Sequence, residues 1–154
     1  MDRDGVLNVD RVDYVYRMED FIIPKGVPEA SIALKEAGYL LVVITNQSGI
    51  AKGLYERKHV FAIHEAIQKA CGGVLDDLYF CPYHENFDSR SLTRKPGSLL
   101  IEKAAANIRS TLIFHLWWGI MSGTSSRERE LDLERYVWPL KVKKRTPLLW
   151  YVIY

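Results

Sequence analysis

The chain is poor in the features that would take it outside the soluble globular class. It has two cysteines, Cys71 and Cys81, in 154 residues. Two cannot build a disulfide framework, so a reducing cytoplasm is the expected setting. No apolar run is long enough to span a bilayer, and the closing "PLLWYVIY" is far too short. The opening "MDRDGVLNVD" is charged, which argues against a secretory leader. Internal repeats and low-complexity tracts are absent. Charge of one sign is lacking too: the formal net charge of +2 points neither toward nor away from nucleic acid. What remains is 48% hydrophobic and 26% charged, enough for one domain with a real core.

The composition is uneven along the chain. Residues 1–106 carry a net charge of −2 and residues 107–154 a net of +4. All four tryptophans (Trp117, Trp118, Trp138 and Trp150) fall in the second segment. A boundary is therefore placed near Asn107.

The first segment alternates in period. Val27 to Ala37 reads as a helix with Val27, Ala30, Leu34 and Ala37 on one face and Gly38 as its left-handed stop. "YLLVVIT", Tyr39 to Thr45, is an apolar run rich in β-branched residues and reads as a strand covered on both faces. Glu56 to Cys71 reads as a second helix, with Val60, Ile63, His64, Ile67 and Cys71 on one stripe and Gly72-Gly73 closing it. "DDLYFCPYH" supplies a short strand and then a loop. Pro96 suits the first turn of a third helix from Gly97 to about Asn107. Helix, strand, helix, strand, helix is the alternation of an α/β fold with a parallel sheet flanked by helices. Such sheets place chemistry at the carboxyl ends of their strands. The stretches to inspect are "DRDG", "TNQSG" and "CPYH" through "RKP".

Asp2 and Asp4 lie two apart, so on extended backbone both carboxylates point the same way, and Gly5 lets the chain turn. Such a pair can hold a hard cation such as Mg²⁺. Alternatively one acid serves as nucleophile and the other as proton donor. Thr45 and Asn46 close the apolar strand, where a hydroxyl, an amide and the backbone N–H groups of Gln47-Ser48-Gly49 can meet a phosphate oxygen. Arg94 and Lys95 place two cations ahead of a helix, one able to fork onto a ligand and one to act as a point charge. Taken singly, these are more often a charged terminus, a strand-ending turn and a solvated basic pair.

In this order they mean more. "DRDGVLNVD", "VVITNQSGIAKG", "CPYH" and "RKPGSLL" resemble the haloacid-dehalogenase superfamily of phosphatases. Within it, they look like the family of D-glycero-D-manno-heptose 1,7-bisphosphate phosphatases and histidinol phosphatases. The likeness runs from Asp2 to about Asn107. It implies a Rossmann-like, haloacid-dehalogenase-like α/β fold and hydrolysis of a small phosphorylated metabolite. The heptose bisphosphate is the preferred substrate and histidinol phosphate the alternative. By the same resemblance Asp2 is the nucleophile that forms an aspartyl-phosphate, and Asp4 protonates the leaving alcohol and then activates water. Thr45 and Asn46 bind the transferring phosphoryl. Lys95 stabilises its charge and orients Asp2, and Arg94 contacts substrate. Mg²⁺ is held by the Asp2 carboxylate and the Asp4 backbone carbonyl. A monomer with no nucleic-acid or membrane partner is expected.

The chain departs from that family in three places. Many members carry zinc on a loop of the form C-x-H, then C-x-C-R-K-P. Here Cys81 stays, Tyr83 stands at the histidine position, and Ser91 and Thr93 stand at the paired cysteines. Cys81 cannot make a four-ligand site, even with His84, so no zinc is expected. Second, the family has an apolar strand before its first aspartate, and here Met1 occupies the last position of that strand. Third, the family's G-D-x-x-x-D motif, which completes the Mg²⁺ site, is absent from "LIFHLWWGIMSGTSS".

The same nucleotides, read from the third base of each codon, force V-G at Trp117-Trp118-Gly119. They permit the rest of V-G-D-N-E-R-D-I-I-A-G. Residues from about Asn107 onward are therefore expected to be an aberrant, frameshifted tail replacing the metal motif. Three functional readings follow: an Mg²⁺-dependent phosphatase, a non-catalytic remnant lacking the third carboxylate, and a chain whose basic, aromatic "KVKKRTPLLWYVIY" meets a membrane or nucleic acid. Four cations make too weak a patch to favour the last.

Overall fold

A computed structural model describes residues 1–107. Among these residues the order is a 3-10 turn at Met18–Asp20, helix α1 (Val27–Glu36), strand β1 (Val42–Asn46), helix α2 (Arg57–Ala70), strand β2 (Asp77–Cys81) and helix α3 (Leu99–Asn107). The tail from residue 108 on, with its proposed frameshift, lies outside the described residues.

The two strands pair in parallel, with Val42 opposite Asp77 and Asn46 opposite Cys81. A parallel pair needs a crossover, and α2 supplies it. Strand periodicity divides the core. Val43 points into a cluster with Ile63, Ile67 and Cys71 from the α2 side, while the next residue, Ile44, meets Leu100 and Ala104 of α3 on the other face. This is the expected parallel α/β architecture with both sheet faces covered. Full burial of Ile63 and Ile67 is worth about 1.5–3 kcal/mol for each side chain.

β1 is shorter than the apolar run suggested. The Leu41 N–H donates to Asp76 Oδ2 at 2.7 Å, just where the partner strand has yet to begin, and Tyr39 and Leu40 are exposed. At its other end the strand runs one residue further, through Asn46. On the edge away from β2, Met1 lies beside β1: its N–H donates to the Val42 carbonyl at 2.7 Å and its carbonyl accepts from the Ile44 N–H at 2.9 Å. Met1 therefore takes the place in the sheet that the last residue of a further strand would take.

α1 has the expected start and stop, with Gly38 at φ +87°. Its packed face is different. Ser31 is its buried residue and Val27 packs on the core, whereas Ala30, Leu34 and Ala37 face outward. Val27 and Ser31 are one four-residue step apart and so lie on one face of the helix. Hydrophobic spacing chose a neighbouring stripe. α2 behaves as expected: Val60, Ile63 and Ile67 are buried, His64 is half-buried, and Gly72 and Gly73 close the helix at positive φ. A capping box between Glu56 and His59 begins it. α3 starts two residues later than expected. Pro96 and Gly97 belong to the preceding turn, and a Cβ on Gly97 would sit 2.3 Å from the Leu92 carbonyl oxygen.

Candidate active site

The carboxyl ends of β1 and β2 are surrounded by three loops: Asp2 to Asn8, Gln47 to Tyr55 and Pro82 to Lys95. Each delivers side chains to one place.

Asp2 directly follows the residue that lies against β1, so the sheet fixes its position. It is 6% exposed. Its Oδ1 accepts from the Arg3 N–H at 2.8 Å and its Oδ2 is ion-paired with Lys95 Nζ. Lys95 also donates to the Ile44 carbonyl at 3.3 Å. Burial pushes the Asp2 carboxyl above its ordinary 3.8, and the nearby Asp4 charge adds to this; Lys95 pulls the other way without cancelling it.

Gly5, at φ +78°, turns the chain so that the Gly5 N–H reaches the Asn8 carbonyl at 2.8 Å. The turn wraps donors around Asp4. Its Oδ1 accepts from Arg3 Nε at 3.1 Å, Arg3 Nη2 at 2.9 Å and Asn8 Nδ2 at 3.1 Å. Its Oδ2 accepts from Gln47 Nε2 at 2.7 Å and, at the limit of 3.5 Å, from Thr45 Oγ1. Thr45, 1% exposed, thus stands where expected, beside the carboxylates at the end of β1.

Asn46 and Arg94 are placed differently. The Asn46 side chain brackets the backbone of residue 95, accepting from the Lys95 N–H at 3.0 Å and donating to its carbonyl at 3.4 Å. Its visible work is to hold Lys95, not to face the space beside Asp2. Arg94 Nη1 donates to the Tyr83 carbonyl at 3.3 Å, on the outer loop.

Arg3, Asn8, Gln47 and Tyr55, all at most 5% exposed, also stand at the site and are not singled out by the sequence. Arg3, Asn8 and Gln47 lie inside the motifs, but no period or spacing reveals a buried role for them. Tyr55 carried no signal beyond being aromatic in a polar loop.

The positions matching the family's zinc loop do converge. Thr93 Oγ1 donates to Cys81 Sγ at 3.1 Å and shares a 2.7 Å hydrogen bond with Ser91 Oγ. Hydroxyls join this loop where the family's pattern has thiolates.

For a hard cation the donor chemistry fits in part. Asp2 offers carboxylate oxygens and Mg²⁺ is commonly held by one or two carboxylates plus water and substrate phosphate. Among the described residues no group of three or more acids, histidines or cysteines is arranged as a metal cluster. No helix among them is long and apolar enough to cross a membrane.

A buried carboxylate against a lysine, beside a second carboxylate, stands at the end of a parallel sheet, and in fold and sequence the chain resembles the haloacid-dehalogenase-like phosphatases. Among them, the chain is similar to the D-glycero-D-manno-heptose 1,7-bisphosphate 7-phosphatases. It is 38% identical over 124 residues to the enzyme of that name with a β-configured heptose from Photorhabdus laumondii, covering 74% of this chain and 65% of the relative. It is 43% identical over 108 residues to the one from Thermosynechococcus vestitus, covering 68% of this chain and 50% of the relative. Among solved structures, the D,D-heptose 1,7-bisphosphate phosphatase from B. bronchiseptica, complexed with magnesium and phosphate, superposes with a TM-score of 0.65 at 33% identity. That match covers 70% of this chain and 61% of the other. The chain spans between half and two thirds of the length of these relatives. No protein-family model matches it. The relatives' names speak for the heptose bisphosphate half of the expected family; none of these names speaks for histidinol phosphate.

Proposed function

We propose that this chain is a phosphatase acting on a phosphorylated sugar, with D-glycero-D-manno-heptose 1,7-bisphosphate as substrate and its 7-phosphate as the group removed. The observation that carries the reading is the pairing of buried Asp2 with Lys95 across 93 positions of sequence, with Asp4 beside them. The relatives' names support the choice of substrate.

Asp2 Oδ attacks phosphorus. As that bond forms, the bond from phosphorus to the sugar oxygen breaks, and Asp4 gives its proton to the leaving oxygen. Water then attacks the aspartyl-phosphate and passes a proton to Asp4, releasing phosphate and restoring both acids. Lys95, held by Asn46, keeps the Asp2 carboxylate aimed and offsets charge on the phosphoryl oxygens. Thr45 Oγ1 supplies a hydroxyl on the same side. Mg²⁺ would be held by the Asp2 carboxylate and the Asp4 carbonyl, and when bound it would neutralise charge on the phosphoryl group. The two cysteines are free thiols, in keeping with a reducing cytoplasm.

Residues 107–154 are proposed to be the aberrant segment replacing the metal motif, and this sets the test. Phosphate release from the heptose bisphosphate and from histidinol phosphate, with Mg²⁺, is measured on the chain as it stands and on one whose residues from 107 carry the alternate-frame sequence. Preference for the heptose bisphosphate, strongest in the second chain, is expected. Release from neither substrate by either chain would leave the remnant reading standing.

A further inference from the structure

Tyr55 and Gln47 form a buried pair that the reaction described above does not use. Tyr55 OH donates to Gln47 Oε1 at 2.7 Å. Gln47 Nε2 donates to Asp4 Oδ2 at 2.7 Å and to Thr45 Oγ1 at 2.9 Å. Both residues are almost wholly removed from water, Gln47 at 1% and Tyr55 at 5% exposure. The direction of this relay is settled chemically. The Asp4 carboxylate can only accept, so the Gln47 NH₂ faces it, and the amide oxygen at the other end takes the Tyr55 hydroxyl hydrogen. An amide that receives a hydrogen bond on its oxygen must present its NH₂ at the other end. The ring itself has no freedom to withdraw. It stacks on Tyr16 at 5.0 Å between centroids, meets Tyr14 edge-on at 6.0 Å, and lies so close to Gly49 that a Cβ there would fall 2.1 Å from Tyr55 Cε1.

We infer that Gln47 is a positioning residue for the acid–base chemistry of Asp4, and that Tyr55 is the anchor that sets the orientation of its amide. The inference rests on the phosphatase reading. One NH₂ group sets two functional side chains at once. One hydrogen holds Asp4 Oδ2. The other occupies Thr45 Oγ1 as acceptor, which leaves the Thr45 hydroxyl hydrogen to point elsewhere. Arg3 and Asn8 hold the other oxygen of Asp4, so Gln47 governs the oxygen not committed to the Arg3 fork. Without the tyrosine hydroxyl the amide oxygen loses its donor, and the amide can turn that oxygen toward the carboxylate, which repels it.

Two measurements on the full chain test this. The first is solvent exchange of the Gln47 side-chain amide by ¹⁵N-resolved NMR, assigned by its loss in Gln47→Glu. Tyr55→Phe keeps the ring and its packing, so the fold is expected to survive. Exchange of that amide should speed up at least about tenfold while the backbone spectrum is kept; unchanged exchange overturns the anchor. The second is kcat/KM for the sugar phosphate against p-nitrophenyl phosphate, whose leaving group scarcely needs a proton. Tyr55→Phe and Gln47→Glu should each lower the sugar-to-aryl ratio at least about threefold. A loss equal on both substrates, as a general structural fault would give, overturns the positioning role. If neither the unaltered chain nor the one carrying the alternate-frame sequence from residue 107 hydrolyses either substrate, the phosphatase reading fails, while the exchange measurement still decides the Tyr55–Gln47–Asp4 arrangement.

Discussion

Two carboxylates two residues apart are held in opposite ways. Asp2 is nearly dry, receives one backbone N–H, and owes its charge balance to Lys95, 93 residues away. Asp4 is more open, yet local and mid-range donors surround it: Arg3, Asn8, Thr45 and Gln47. One site is built on a single cation from far along the chain, the other on a neighbouring guanidinium shared with several neutral donors. A nucleophile needs an electron pair left uncommitted and a cation that follows the charge. A group that must give and retake a proton needs a fixed orientation more than a fixed charge. The contrast also predicts fragility: the Asp2 side should fail at single substitutions, and the Asp4 side should weaken by degrees.

The largest effect belongs to Asp2→Asn. An amide is a poor nucleophile, so phosphate release should fall to background; undiminished release would remove the assignment. Lys95→Ala comes next, with kcat expected to drop roughly 10²–10³-fold, as for loss of one strong stabiliser of transition-state charge. It should also move the pH profile. Asp2 acts ionised and its carboxyl lies above 3.8, so activity is lost as pH falls through that raised value. Lys95 favours the ionised form, so its removal should carry the acid limb of kcat/KM to higher pH. A limb that stays in place would break the pairing. The same raised value works against the fold: the Asp2 contribution is greatest below 3.8 and is lost as pH rises through the folded value.

Smaller effects test the supports. Gly49→Ala drives a methyl into the Tyr55 ring and should cost about 1–3 kcal/mol, read as a lower thermal midpoint. Thr93→Val removes the donor to Cys81 Sγ and should cost only about 1 kcal/mol, with a modest fall in kcat as the loop bearing Lys95 loosens. If Thr93→Val proved as damaging as Lys95→Ala, the loop rather than the ion pair would be what fixes Asp2.

Much of this was legible in the order of residues. Val43 and Ile44 lie in an uninterrupted apolar run because each strand face is covered by a helix, and that run announced a parallel sheet. The α2 stripe was legible for the same reason: three of its apolar residues have nowhere else to go. α1 was not, because it has more apolar positions than the core accepts, and spacing alone cannot choose between Val27 with Ser31 and Val27 with Ala30 and Leu34. Asp2, Asp4, Thr45 and Lys95 are singled out by four short motifs in one order, and the fold brings them together at the carboxyl end of β1.

The sequence by itself determined the class of fold, the strand ends to which the motifs belong and the two acids, hydroxyl and lysine proposed to act there, since periodicity and motif order are local properties of the chain. Only the tertiary structure decided that Asn46 serves Lys95, that Arg94 turns to the outer loop, and that Gln47 and Tyr55 stand behind Asp4. Those roles depend on which donors meet which acceptors across tens of residues, and a buried polar group takes its meaning from the partner that replaces water.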